Sequence, residues 1–335
     1  MKLSVQLVTW NGEKYLPALF DSLKSQSFID WELLILDNGS TDRSVEFINE
    51  QKDKIGVPVR IFIKNKNIGF APAHSFLFRE SSSPYVAVIN QDLILETEVF
   101  EKLTNYLDKN PKVGSVSPRL LRMQNGTKTT IIDSLGLQIR KNRQVVDISA
   151  GKNFQNEVFE QSPVHDVFGV SAAIAIYSRQ AVGAVCRPGE LFDESYFSYQ
   201  EDVDLAWKLQ LGGFGSAVLT GISAYHERGI KEPEDKSLLG RFKNKKKQPF
   251  YIRYNSYRNH LATIYKNEQW PNFILDFFLI FWYEGLKFKY NFWFDREILK
   301  GIRDLWNRRE ELKAERKRIK SITRESWKNL GRWWA

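Results

Sequence analysis

Short apolar runs alternate with amphipathic stretches through the first 120 residues. The runs Leu3–Val8, Glu32–Leu36, Val59–Ile63, Tyr85–Ile89 and Val113–Ser117 have the length and polar closure of buried strands. Between them, Tyr15–Ser25, Thr41–Lys52, Gly69–Glu80 and Glu98–Asn110 carry helical spacing, with Ser40 or Thr41 the candidate N-cap of the second. Such alternation predicts an α/β fold, a mostly parallel central sheet flanked by helices with right-handed crossovers. Open α/β sheets bind ligands beyond the carboxyl ends of their strands. The polar residues at those ends are Thr9 and Asn11, Asp37, Asn67, Asn90 and Asp92.

The pattern weakens over 120–167, a polar stretch expected to form hairpins over the site, with Asn125-Gly126 as a turn. A strand at Ala172–Tyr177, a helix at Arg179–Val185, a helix at Glu201–Leu211 closed by Gly212-Gly213, and a strand at Ser216–Leu219 follow. Residues 231–249 are strongly basic, and 250–335 read as helices, first aromatic and then charged. The expected organisation is a catalytic unit over 1–230, divided near 119, then a basic linker over 231–249 and a helical extension over 250–335.

Composition narrows the class. With 42% apolar and 27% charged residues the chain folds. The single Cys186 excludes an internal disulfide framework and fits a reducing cytoplasm. Residues 1–230 carry 24 basic and 27 acidic side chains, whereas the last 105 residues carry 25 and 13, together with seven of the ten tryptophans. The basic, aromatic end therefore points to an anionic surface. Its charges are interleaved, as in Arg308-Arg309-Glu310-Glu311, and no nucleic-acid motif occurs. The most apolar late run, Phe273 to Tyr283, is about half of the roughly 20 residues a spanning helix needs. A dinucleotide-binding reading fails because the turn after the first strand is Thr9-Trp10-Asn11-Gly12-Glu13, without Gly-x-Gly-x-x-Gly; a P-loop is absent.

Five motifs occur in order: Leu7-Val8-Thr9-Trp10-Asn11; Leu34-Ile35-Leu36-Asp37-Asn38-Gly39-Ser40-Thr41-Asp42; Asn67-Ile68-Gly69-Phe70-Ala71; Asn90-Gln91-Asp92; and Glu201-Asp202-Val203-Asp204-Leu205-Ala206-Trp207, with Tyr225-His226 after them. This set resembles the family 2 glycosyltransferases of GT-A fold, and within them the bacterial rhamnosyltransferases of cell-wall and O-antigen assembly. The resemblance implies inverting transfer of a sugar from a nucleotide diphosphate sugar, dTDP-rhamnose or a UDP-sugar, to a glycan or polyprenyl-linked saccharide acceptor. It implies a divalent metal, Mg²⁺ or Mn²⁺. Thr9, Asn11 and Asp37 are then the nucleoside pocket, and Asn67, Gly69, His74 and Asn90 line the donor site. Asp92 is the metal carboxylate, with His226 a second metal ligand or diphosphate partner. His74 stands where relatives often have Asn, and Gln91 where related branches have Pro.

The chemistry matches these residue types. Hard divalent cations bind one or two carboxylates plus substrate phosphates. A helix start favours an ionised carboxylate; the resemblance implies that one of Glu201 and Asp202 is the catalytic base, Asp202 being preferred, with Glu201 positioning the acceptor or assisting. Asp204, about 200° further round the helix, faces elsewhere. Arg258, in Tyr254-Asn255-Ser256-Tyr257-Arg258-Asn259, is a candidate diphosphate ligand or a helix-surface arginine. Phe273, Phe277, Phe278, Phe281, Trp282 and Phe288 recur at helical spacing. They are expected to dock on the inner face of a cell membrane, or else to pack against the catalytic unit or a second copy. A catalytically inactive binding subunit is the alternative reading.

Overall fold

The computed structural model describes residues 1–156, 163–227 and 248–335. Strands β1 (Leu3–Thr9), β2 (Trp31–Asp37), β3 (Val59–Ile63) and β4 (Tyr85–Ile89) pair in parallel in the spatial order 3-2-1-4. Helices α1 (Leu16–Lys24), α2 (Ser44–Gln51) and α3 (Phe70–Arg79) make the crossovers. β1 and β2 are buried on both faces, which is why they read as continuous apolar runs. α2 starts later than expected. Neither Ser40 nor Thr41 caps it: Ser40 Oγ accepts from Asn11 N at 2.9 Å, and Thr41 N donates to Asn11 Oδ1 at 2.9 Å. Both side chains are spent on tying the β1 loop to the β2 loop.

β5 (Leu93–Leu95) and α4 (Val99–Lys109) follow, and α4 presents Val99, Phe100, Leu103 and Leu107 to the core. β6 (Val113–Gln124) runs past its expected end and turns at Asn125-Gly126 into β7 (Thr127–Ser134); both turn residues have positive φ. β8 (Leu137–Ile139) and β9 (Val145–Asp147) form a separate small hairpin. Next come β10 (Val164–Val167), β11 (Ile174–Ser178), α5 (Arg179–Val185), α6 (Glu201–Leu211) and β12 (Gly215–His226). β11 lies antiparallel between β4 and β6, and β12 is parallel to β6 but antiparallel to β10 and β5. The sheet is thus parallel in its first four strands and mixed thereafter.

The C-terminal helices are α7 (Phe250–Asn267), α8 (Trp270–Leu275), α9 (Phe277–Phe294), α10 (Lys300–Asn307), α11 (Arg309–Ile322) and α12 (Trp327–Gly331). They share a core with the sheet domain. Trp334 packs on Trp207 at 5.5 Å between ring centroids and on Phe168 at 6.1 Å. Ala335 N donates to Ile139 O at 3.1 Å. Beneath them runs a buried chain of charges. Lys266 Nζ meets Asp193 Oδ2 at 2.5 Å and Asp204 Oδ1 at 3.0 Å, while Lys208 Nζ meets Asp204 Oδ2 at 2.7 Å and Glu315 Oε1 at 3.6 Å. This chain bolts α6 to α7 and α11. The central part of the expected basic linker, 231–247, lies outside the described residues.

α9 is inside out. Toward the protein it turns Ile280, Glu284, Lys287 and Asn291, with Glu284 Oε1 at 2.7 Å from His260 Nε2 and 3.1 Å from Lys287 Nζ. Outward it exposes Phe278 (84%), Trp282 (71%), Phe281 (66%) and Trp293 (63%). At 100° per residue its exposed apolar arc, Phe277 round to Leu279, covers about 200°. Among the described residues nothing of the sheet domain covers this aromatic face, so the expected packing against the catalytic unit is not formed, and docking on a membrane or on a second copy remain. No described helix is long and apolar enough to cross a membrane.

Candidate active site

Register sets the cleft floor: Thr9 lies opposite Asp37, and Leu7 opposite Ile89, so the residues after β1, β2 and β4 emerge side by side. Asp37 is almost fully buried. Its Oδ2 accepts from Gly39 N at 3.2 Å and Ser40 N at 3.0 Å, while its Oδ1 has no partner among the described residues. A buried carboxylate oxygen without a donor is costly unless a ligand N–H or O–H completes it. Asn11, at φ 49°, spends its Oδ1 on Thr41. Asn67 Oδ1 accepts from Asn38 Nδ2 at 3.1 Å and Gly69 N at 2.8 Å. Gly69 is required: φ is 96°, and a Cβ there would stand 2.6 Å from Phe197 O. Gln91 is also explained. Its Oε1 accepts from Thr9 Oγ1 at 2.6 Å and Trp10 N at 3.1 Å, locking the β4 loop onto the β1 loop.

Asp92 faces the end of β12. His226 Nε2 lies 3.2 Å from Asp92 Oδ1, and His226 Nδ1 lies 2.9 Å from Asp133 Oδ2 on β7. Burial pushes the imidazole pKa down, but hydrogen bonds and charge from Asp133 and Asp92 raise it to about 9, so the ring is cationic at neutral pH. Arg122 Nε, 3.5 Å from Asp133 Oδ1, offsets the second carboxylate. Two donors at right angles on a Mg²⁺-sized ion stand about 3 Å apart, so Asp92 and His226 have a spacing that one divalent cation accepts, with Asp133 orienting the imidazole behind. Among the described residues no third His, Cys, Asp or Glu joins them, so the remaining ligands would be diphosphate oxygens and water. Asp133 was invisible in the sequence because its stretch reads only as polar hairpin.

Glu201 and Asp202 open α6 beside the same cleft. Asp202 Oδ2 accepts from Ala172 N at 3.3 Å, its Oδ1 from Val203 N at 2.8 Å, and the adjacent Ala173 O accepts from Asn90 N at 2.9 Å. Burial lifts the Asp202 carboxyl to about 6 despite the two backbone donors, with Asp147 adding repulsion. Burial, reinforced by the charge of Asp202, raises Glu201 well above the usual carboxylate range, and its Oε2 has no partner among the described residues. Burial thus pushes both carboxyls toward their protonated forms, and the charge of Asp202 adds to the effect on Glu201. Asp204 points away into the charge chain, as its helical position requires.

Two expected site residues lie elsewhere. His74 is fully buried, its Nδ1 3.1 Å from the Gln6 side chain and its ring 4.3 Å from that of Phe70. Desolvation drives its pKa to about 3, so it is a neutral core histidine. Arg258 is not aimed at a diphosphate: its Nη2 donates to Ser195 O at 2.9 Å and Tyr196 O at 3.3 Å.

A family model described as glycosyl transferase family 2 matches residues 4–182, which hold β1 to β11 and every strand-end residue above except His226. The chain belongs to glycosyl transferase family 2. Over 108 residues this family 2 chain is 31% identical to an uncharacterized glycosyltransferase of Haemophilus influenzae, covering 32% of the chain and 43% of that protein. Over 112 residues it is 24% identical to the Staphylococcus aureus poly(ribitol-phosphate) beta-N-acetylglucosaminyltransferase TarS, covering 33% of the chain and 19% of TarS. The chain thus spans less than half the length of these curated relatives. The fold is that of S. aureus TarS 1–349 in complex with UDP (TM-score 0.51, 15% identity, 89% of this chain and 73% of that one). It is also that of the mannosyltransferase PcManGT from Pyrobaculum calidifontis in complex with GDP-Man and Mn²⁺ (TM-score 0.52, 15% identity, 84% and 69%).

Proposed function

We propose that this family 2 chain is an inverting glycosyltransferase of cell-envelope polysaccharide synthesis, with Asp202 as catalytic base. The observation that carries this reading is the buried Glu201–Asp202 pair, joined through the Ala172–Ala173 backbone to the strand end that bears Asn90 and Asp92. A base with a pKa near working pH takes the acceptor hydroxyl proton as the oxygen attacks the anomeric carbon. Asp37, with its open Oδ1, holds the nucleoside, and Thr9 shapes the pocket floor through its bond to Gln91. Asp92 holds the diphosphate's cation, and His226 either that cation or the diphosphate itself. A bound Mg²⁺ or Mn²⁺ would supply charge neutralisation for the departing diphosphate. Without a metal on its Nε2, cationic His226 stabilises the same charge directly; with one, it ligates as the neutral imidazole.

For the donor, Asn90-x-Asp92 and Tyr257-Arg258-Asn259 support dTDP-rhamnose, whereas the UDP in the TarS complex supports a UDP-sugar. The acceptor is a hydroxyl of a glycan or polyprenyl-linked saccharide. The outward aromatic arc of α9 supports docking on a lipid surface rather than self-association, because Trp282 and Trp293 suit a headgroup boundary and Lys289 and Arg296 flank them in reach of anionic lipid. The deciding experiment is release of nucleotide diphosphate from dTDP-rhamnose, UDP-glucose, UDP-galactose and UDP-N-acetylglucosamine, each with a thermal-shift measurement with and without Mn²⁺. A donor at 100 times its dissociation constant stabilises by about 2.7 kcal/mol. Binding without turnover of any donor, on any acceptor fraction, would favour the inactive binding subunit instead.

A further inference from the structure

The segment between Asp193 and α6 holds an unusual backbone. Phe197 (φ 61°, ψ −65°), Tyr199 (φ 71°) and Gln200 (φ 72°) all occupy left-handed space, and none is glycine. Ser198 N donates to Tyr196 O at 2.7 Å, closing a tight three-residue turn around Phe197. Each such conformation costs on the order of 1–3 kcal/mol and persists only when its surroundings impose it. Those surroundings are legible atom by atom. Phe197 O accepts from Ala71 N at 3.0 Å, and Gln200 O from Asp204 N at 2.9 Å. The other four carbonyls are held from α7. Arg258 Nη2 reaches Ser195 O and Tyr196 O, and Asn259 Nδ2 reaches Tyr196 O at 2.9 Å, Ser198 O at 3.0 Å and Tyr199 O at 2.8 Å. Asn259 is 1% exposed, and its Oδ1 accepts from Arg258 Nε at 3.0 Å, which fixes the amide orientation.

We infer that Asn259, steadied by Arg258, is a positioning residue for sugar transfer: its one amide group gathers three carbonyls of the 196–199 turn and so sets where Glu201 and Asp202 emerge. The inference rests on the proposed role of Asp202 and adds a part of the site contributed from beyond residue 250. The turn that Asn259 gathers also abuts Gly69, so the same contacts set the distance between the base and the donor side of the cleft. A side chain without a hydrogen-bond donor leaves those carbonyls unpaired and lets the turn relax toward ordinary φ values; a short one with a single donor does so in part. The base then moves, while Asp37 and His226, at strand ends, and Asp92, in the turn after β4, do not.

The test is Asn259→Ala beside Asn259→Ser, which keeps one donor. The expected result for Asn259→Ala is a fall in kcat of about 100-fold, the usual consequence of misplacing a reacting group by about 1 Å, with donor affinity unchanged. Asn259→Ser falls between it and the parent. A readout independent of turnover is the carboxyl titration of Asp202 followed by carbon NMR: its midpoint drops from near 6 toward ordinary aspartate as water reaches the relaxed turn. A folded Asn259→Ala with unchanged kcat and unchanged titration overturns the inference; if that variant does not fold, an unaltered Asn259→Ser does so. Asp202→Asn run in parallel separates the two claims, because full turnover in Asp202→Asn removes the base assignment while the titration shift in Asn259→Ala still reports the clamp.

Discussion

Asp202→Asn should lower activity and raise stability together. In the folded protein the Asp202 carboxyl is raised from 3.8 to about 6, chiefly by burial. A raised carboxylate pKa means that the fold prefers the protonated form. Its contribution is fully present below the unfolded value and is lost as pH rises through 6. At pH 8 the ionised group costs the fold about 3 kcal/mol by linkage. Asparagine removes that charge but presents only one acceptor to the N–H groups of Ala172 and Val203, giving back about 1 kcal/mol. The net gain is about 2 kcal/mol, or roughly 3 °C in Tm for a chain of 335 residues. Turnover should fall by a factor of about 10² or more. The parent enzyme should lose rate below pH 6, retaining about a tenth of its plateau at pH 5, because the base must be ionised. Nucleotide diphosphate release across pH 4.5–8.5 and thermal melts at pH 8 read the two effects. An acid limb near 4, parental turnover in the variant, or a lower Tm at pH 8 would refute the reasoning.

Three further outcomes follow from the geometry. Asp92→Ala should weaken donor affinity and abolish any Mn²⁺ stimulation, read by titration calorimetry with and without the ion; an EDTA-insensitive parent rate would show that cationic side chains alone carry the diphosphate. Lys266→Met leaves Asp193 and Asp204 short of a buried partner, so it should cost about 3–5 kcal/mol and lower Tm by roughly 4–7 °C in melts at neutral pH. Phe281→Ser with Trp282→Ser should release the protein from anionic liposomes in flotation without changing donor binding; a parent that stays soluble at low salt on such liposomes would remove the membrane role.

Much of the fold was legible because local signals agreed with the tertiary result. Val59–Ile63 and Glu201–Leu211 form over the residues the pattern marks. Strand-end polar residues gather because parallel pairing puts like ends together. What sequence hides is pairing direction and partner choice. Nothing local distinguishes β11, antiparallel, from β4 beside it. His74 and His226 are alike as letters; only Gln6 and Phe70 around one, and Asp92 and Asp133 around the other, separate a core imidazole from a charged one. Arg258 carries the same donors toward a carbonyl as toward a diphosphate. The aromatic spacing of α9 showed an apolar face but not that the opposite, polar face is the one that meets the protein.

The buried charges around α6 also impose an order on biosynthesis. Asp204 and Lys208 leave the ribosome well before Lys266, and Lys208 waits for Glu315, roughly 110 residues later. At ordinary elongation rates that interval is about 6–20 s. For the first half of it the helix that bears Asp202 lacks both Lys266 and the amide of Asn259, and Glu315 comes last. A nascent chain can therefore build its first parallel strands early, yet the helix of Asp202, the proposed base, gains its full set of ion partners only once α11 has been made, so on that proposal the donor side of the cleft matures before the transfer side.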